Sequence, residues 1–205
     1  MLTLHYMPGT ISIATAIALF EADLPFEAVK VDFKTAEQTK PAYHQINPKG
    51  RVPALVTDQG TLTETGALLE FVAASAPKAG LVPQDAMQAA RMREVMYYLA
   101  STMHVNHAHR MRGSRWATRQ ESFDDMTAKV PQTMSESAAY IEAHGLAGPY
   151  VLGDAFSIAD PYLFVICGWL EGDGVNVADY PKITTFMDAM NARASVQTAR
   201  AKGMI

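Results

Sequence analysis

The chain has 205 residues, 49% hydrophobic and 19% charged, and a formal net charge of −4. That balance suits one or two compact domains with ample core material, excludes a disordered chain, and argues against a nucleic-acid partner, which usually demands a basic excess. No apolar run reaches the roughly 18 residues of a spanning helix, and the opening MLTLHYMPG lacks a basic stretch followed by a long apolar one, so a cytoplasmic location away from membranes is expected.

Residues 2–6, LTLHY, alternate as a strand does, and Met7-Pro8-Gly9-Thr10 breaks the pattern. SIATAIALFEAD then carries Ile13, Ile17, Phe20 and Leu24 at helical spacing, with Ser12 placed to cap the start. Phe26 to Phe33, FEAVKVDF, alternates again, and a β-α-β connection of this length predicts a parallel, right-handed crossover. Residues 34–50 are polar and irregular, with a short helix expected around Ala36–Gln45. VPALVT and TLTE flank the turn Asp58-Gln59-Gly60 as a hairpin, and Thr65 to Ala74 closes the unit as a helix with Leu68, Phe71 and Val72 inward.

The order β-α-β, then β-β-α, predicts an α/β thioredoxin-like domain over residues 1–76. Residues 77–85, with Pro77, Gly80 and Pro83, read as a linker. From Ala86 the chain is rich in Ala, Met and Arg with helical periodicity and no convincing strand, predicting an all-helical domain over 86–205. The lone Cys167 lies in LFVICGWL, a packed-helix setting in which cysteine acts as a small hydrophobe. Ser157-Ile158-Ala159-Asp160 is a capping box with Asp in place of Glu, which makes Asp160 a buried folding element; Pro161 in that first turn is expected to remove an early helix bond.

Two features point to chemistry. No acidic residue lies between Glu94 and Glu121, while Arg110, Arg112, Arg115 and Arg119 join His104, His107 and His109; this is either a receiver for a small anion or the solvated face of a helix. The three histidines do not share one helix face, so no metal site is expected. The second feature is Pro53, in the middle of VPALV, where a ladder donor is missing. A cis Val52-Pro53 bond would turn backbone polar groups outward as a docking edge for a peptide-like ligand.

The stretches LHYMPGTIS, NPKGRVPAL, LTETGALLEFVA, FSIADPYLF and DYPKITTFMDAMNARASV resemble the cytosolic glutathione transferases, most closely their bacterial beta-class branch. The resemblance implies glutathione as co-substrate, no metal, a small hydrophobic electrophile as second substrate, and a two-fold dimer in which each first domain faces the partner's helices. It implies that Val52, next to Pro53, exchanges backbone hydrogen bonds with the cysteinyl part of glutathione, and that Glu64 and Thr65 hold the γ-glutamyl end. Glu64 can accept from the α-ammonium, and Thr65, at a helix start, can donate to the α-carboxylate, unless Thr65 merely caps the helix. His104 matches a histidine of the beta-class pattern that faces glutathione, although the lysine following it there is Val105 here. The lysine this class uses near the second strand has no clean counterpart; Lys34 stands a position or two away.

One departure matters for the reaction. The beta-class active-site cysteine is replaced by Ile11, which rules out a mixed disulfide at that position. Ser12, Thr10 and Tyr6 are then the candidates to assist a thiolate. Ser12 leads, because a helix N-terminus and a hydroxyl donor both stabilise S⁻; an ordinary N-cap role for Ser12, and sheet packing for Tyr6, stand beside that reading. Met7, Ile11, Met103, Met111 and Trp116 are candidates for an apolar acceptor wall, or for core. The expected function is conjugation of the glutathione thiolate to an electrophile. The alternatives are a non-catalytic glutathione-transferase-like binding or interaction protein, and a glutathione-dependent isomerase or dehalogenase.

Overall fold

The alternation in LTLHY becomes strand β1 (Leu2–Tyr6), with Leu4 and Tyr6 buried on one face. The computed structural model describes residues 1–205. Helix α1 (Ser12–Glu21) is buried on every side from Ser12 to Leu19, as its nearly all-apolar sequence requires. Strand β2 (Phe26–Lys30) runs parallel to β1, with Leu2 opposite Phe26 and Tyr6 opposite Lys30. The expected strand ran to Phe33, but the ladder stops at Lys30. Asp32 accepts the Lys34 N–H at 2.9 Å and starts a 3-10 turn over Phe33–Thr35, so local side-chain bonding wins over the alternation. A second 3-10 turn leads into the short helix α2 (Pro41–His44), with proline at its first position.

The predicted hairpin is β3 (Ala54–Thr57) and β4 (Gly60–Thr63). β3 pairs antiparallel with β1, Leu55 opposite Leu4, and the sheet order is β2-β1-β3-β4. Helix α3 (Thr65–Ser75) follows β4 and packs against α1. This is the thioredoxin-like arrangement expected from the strand order.

Helix α4 (Ala86–Tyr98) is capped by Asp85, which accepts the Gln88 N–H at 2.9 Å. It continues through a π-helical turn, Leu99–Met103, into α5 (His104–Ala108). The long α6 (Gln120–Tyr140) is tied to α5 by Asn106, whose amide donates to Ser137 Oγ at 3.0 Å and to the Thr133 carbonyl at 3.3 Å. α7 (Ala159–Cys167) is buried along its whole length. α8 (Pro181–Asn191) has two of its first N–H groups, from Lys182 and Ile183, held by the Glu142 carboxylate at 2.9 and 3.0 Å. No helix is long and apolar enough to cross a membrane.

The end of the chain departs from the sequence reading, which assigned everything after Ala86 to the helical domain. The chain divides into one unit of Met1–Gln84 with Met190–Ile205 and another of Asp85–Ala189. The last helix, α9 (Ala194–Ala201), packs on α1. Arg193 donates to both oxygens of Glu21, at 2.6 and 2.7 Å, and Ser195 Oγ donates to the same carboxylate at 2.5 Å. Burial pushes the Glu21 carboxyl up, but these hydrogen bonds and the Arg193 charge outweigh it, and the net value lies below the ordinary 4.5. Beyond α9 the Met204 carbonyl accepts the Gly9 N–H at 3.4 Å, so the tail braces the loop after β1.

Candidate functional site

The loop Met7–Ile11 joins the buried end of β1 to the start of α1. Ser12 does not cap this helix: the N-cap position is Ile11, without a side-chain bond. The Ser12 hydroxyl turns back instead. It accepts the Met7 N–H at 3.1 Å and lies 3.2 Å from the Met7 carbonyl and 2.7 Å from Thr10 Oγ1. Thr10 Oγ1 donates to the same Met7 carbonyl at 2.8 Å. Two hydroxyl hydrogens thus serve three internal contacts, and both are engaged within the loop. Ser12 is fully buried, whereas Thr10 is half-buried and Met7 is partly exposed. Ile11 is 6% exposed, and Tyr6, 8% exposed, sits in the sheet.

On the other side of the sheet centre, the Val52-Pro53 peptide bond is cis, as expected. β3 begins at Ala54, so the N–H and C=O of Val52 lie outside both ladders that β3 forms. The preceding carbonyl, of Arg51, is pinned from behind: Tyr43 Oη donates to it at 2.8 Å and Asn47 Nδ2 at 2.7 Å. Burial, and then Glu37, push the Tyr43 phenol up to about 12, so it is a neutral donor at ordinary pH. Asn47 is almost wholly buried and also accepts the Lys49 N–H at 3.1 Å. Together these residues hold the entry to β3 in one geometry.

Next to this edge, Glu64 occupies the N-cap position of α3 with φ 73° and ψ 120°. A side chain at positive φ in that region costs of order 1–3 kcal/mol, and such residues concentrate at ligand sites. Thr65 is the first helical residue, 7% exposed, and Glu64 rather than Thr65 is the cap. The Glu64 carboxylate accepts from Lys49 Nζ at 2.5 Å, and the same ammonium donates to Thr63 Oγ1 at 2.6 Å. Glu64 therefore already binds one ammonium group, while the N–H groups opening α3 form a site for an anion. Lys34 is exposed and makes no ion pair, so it adds nothing to this edge.

In the helical unit, His104 and His107 lie on one face of α5 and both meet Trp169, with ring centroids 5.2 and 4.1 Å away. His107 Nδ1 contacts Asp173 Oδ2 at 2.6 Å, and Arg110 reaches Oδ1 of the same carboxylate at 3.3 Å. His109 turns to the Trp116 indole instead, 4.6 Å away at 84°. No three His, Cys, Asp or Glu side chains converge as a metal cage. Of the proposed acceptor walls, Met103 is fully buried and packs the core of this unit, because the π-helical turn points it inward; Met111 and Trp116 are exposed, at 76% and 47%. Burial pushes the Cys167 thiol well above its ordinary value, which makes it an inert core residue.

The capping box forms as expected. Asp160 Oδ2 accepts from the Ser157 N–H at 2.6 Å and from Ser157 Oγ at 3.0 Å, and its other oxygen accepts the Val151 N–H at 2.8 Å. Pro161 removes an N–H that would have served the Ser157 carbonyl; the Asp160 N–H takes that role at 3.1 Å, so the acceptor is not orphaned.

Asn47, Tyr43, Lys49 and Asp173 were not singled out from sequence. Asn47 and Lys49 sit inside NPKGRVPAL, so that motif carried a signal for them; Asp173 is 66 residues from its histidine and carried none.

Comparison with known proteins accords with this geometry. Residues 1–74 match the family model of the glutathione S-transferase N-terminal domain, and residues 120–189 that of the glutathione S-transferase C-terminal domain. Glutathione S-transferase GstA of Escherichia coli O157:H7 is 31% identical over 199 residues, 96% of each chain. A crystal structure of a glutathione transferase homologue from Sulfitobacter, with bound glutathione, is 66% identical with a TM-score of 0.99, covering 100% of this chain and 99% of that one. A bacterial beta class glutathione S-transferase from Sphingomonas chungbukensis is 31% identical with a TM-score of 0.84, covering 99% and 100%. With both domain models matched in order and relatives aligned over nearly its whole length, the chain belongs to the cytosolic glutathione S-transferase family.

Proposed function

We propose that the protein binds glutathione along the Val52–Pro53 edge and the start of α3, and conjugates its thiol to a small hydrophobic electrophile, acting in the cytoplasm as a homodimer. The observation that carries this reading is the pinned Arg51 carbonyl, which holds the adjoining Val52 backbone groups outside both sheet ladders. Glu64 and Thr65 sit where a γ-glutamyl group with one ammonium and one carboxylate would be recognised at both ends. The binding of glutathione in the Sulfitobacter homologue supports the ligand.

The thiolate needs a donor, and the loop network decides which. Ser12 is buried behind Thr10, so Thr10 is the hydroxyl able to turn toward a sulfur, with Ser12 Oγ donating to Thr10 Oγ1 in support. A hydroxyl chain of this kind polarises its terminal donor, and a stabilised thiolate is more populated at neutral pH. Holding both reactants adds proximity. His104, on the face of α5 that meets Trp169, remains a candidate to orient glutathione or a water.

Calorimetric titration with glutathione, followed by an aryl halide conjugation assay, tests the reading. Binding together with turnover that drops for Thr10→Val at unchanged glutathione affinity is the expected result. Absence of glutathione binding removes the assignment. A second reading, a glutathione-binding protein without catalysis, is favoured by one specific observation: Ile11 stands in place of cysteine and both loop hydroxyls are engaged internally. Binding without turnover across several electrophiles selects it.

A further inference from the structure

We propose that His107 is an acid for the acceptor half of the reaction, giving a proton to a conjugated carbonyl compound after the glutathione sulfur has added to it, and that Asp173 is its positioning residue. This rests on the conjugation reading above. Asp173 can only accept, so His107 Nδ1 carries the hydrogen in their 2.6 Å contact, and Nε2 is left to take up and release a proton. Nε2 has no hydrogen-bond partner in the chain.

The pair is built to hold still. The Asp173 side chain is wholly buried, and a buried carboxylate is costly unless both oxygens are matched; Arg110 supplies the second partner at 3.3 Å. The imidazole lies flat on Trp169, at 4.1 Å and 20°, which fixes the plane of the ring, while 19% of the side chain stays open. A Cβ on Gly172 would come within 3.1 Å of the Arg110 guanidinium, so bare backbone at that position lets the arginine cross the turn. Joining α5 to the turn after α7 needs only the Arg110–Asp173 contact. The imidazole adds a proton carrier with one open nitrogen. His107 also lies in the stretch that has no acidic residue between Glu94 and Glu121, so a developing negative oxygen meets no local carboxylate from that segment.

An acid helps only when addition leaves a basic centre, which sets the acceptor class. When the thiolate adds to an α,β-unsaturated carbonyl compound, a C–S bond forms at the β-carbon and the alkene pair moves into an enolate. The proton on His107 Nε2 passes to the α-carbon and restores the carbonyl. The neutral imidazole then regains a proton from water, equal to the one the thiol released. In aryl halide substitution the halide leaves with its electron pair and no proton is delivered.

The test compares the two acceptors. Glutathione turnover by the wild-type protein and by His107→Asn is measured with cyclohexenone and with an aryl halide; asparagine keeps a donor to Asp173 but cannot carry the proton. Loss of general acid catalysis typically costs roughly a hundredfold, so the enone kcat should fall by about that factor while the aryl halide kcat changes less than about twofold. Equal losses with both acceptors, no loss with either, or no enone turnover by the wild type would overturn the proposal. Should His107→Asn fail to fold, the wild-type protein in deuterium oxide decides: a larger slowing with the enone than with the aryl halide supports the role, and equal slowing overturns it. Wild-type aryl halide turnover alongside a negative enone result removes His107 alone; absence of glutathione binding removes the conjugation reading as well.

Discussion

Ser12 and Ser157 carry the same sequence signal, a serine just ahead of an apolar helical run, and the structure uses them in opposite ways. Ser157 has Asp160 three residues on, and the two close a capping box inside the protein. Ser12 has Thr15 at that spacing, whose hydroxyl is buried without a partner, and so its own hydroxyl turns backward to Met7 and Thr10. A cap forms when the residue at the third helical position can return a bond; without that, the hydroxyl goes to the nearest orphaned backbone group. The first arrangement builds a fold, and the second shapes a loop beside the glutathione edge.

The largest expected effect comes from breaking the closed box. Asp160→Ala leaves the Ser157 N–H, the Ser157 hydroxyl and the Val151 N–H unpaired in the interior. Its cost should be about 3 kcal/mol or more in urea unfolding, because buried polar groups lose their partners without regaining water. A loss below about 1 kcal/mol would show that the box is redundant. Ser12→Ala should cost less, about 1–2 kcal/mol, since it orphans chiefly the Met7 N–H. Its effect on turnover separates the two serines: Ser157→Ala should lower stability alone, whereas Ser12→Ala should also slow conjugation through Thr10. Equal kcat in both variants would strip the first loop of its chemical role.

A smaller effect is carried by pH. The folded protein holds the Glu21 carboxyl below 4.5. On acidification the unfolded chain therefore takes up that proton first. The stabilisation is whole above about pH 5 and is lost as pH falls through the folded value. Melting temperature measured from about pH 6 down to about pH 3 should drop more steeply for wild type than for Glu21→Gln, and parallel slopes would mean that the α9 clasp contributes nothing electrostatic. Smallest of all, Lys49→Ala should change stability by less than about 0.5 kcal/mol, because its pair with Glu64 is largely exposed. Its readout is glutathione affinity, where freeing the Glu64 carboxylate alters the response to a second ammonium.

Much of the fold was legible because it is written in short range. Alternation located β1 and the hairpin, and Asp85 marked the start of α4 to the residue. The candidate site was legible only where a motif spanned it, as NPKGRVPAL does. Met103 looked like a pocket wall because methionines suit soft surfaces, and it is core because the π-helical turn rotates it inward. Residues 190–205 looked like one more helix of the bundle, and helical periodicity cannot say which neighbour a face will meet.

The amino-acid order alone determined where strands and helices begin, which faces are apolar, and that cysteine chemistry is absent from the first loop, since these depend on residue type and local spacing. Only the tertiary structure decided that Glu21 meets Arg193, that Met204 braces Gly9, and that Asp173 aims His107. Those contacts join positions far apart in the chain, and a directional hydrogen bond is set by distances of a few tenths of an ångström that no periodicity encodes.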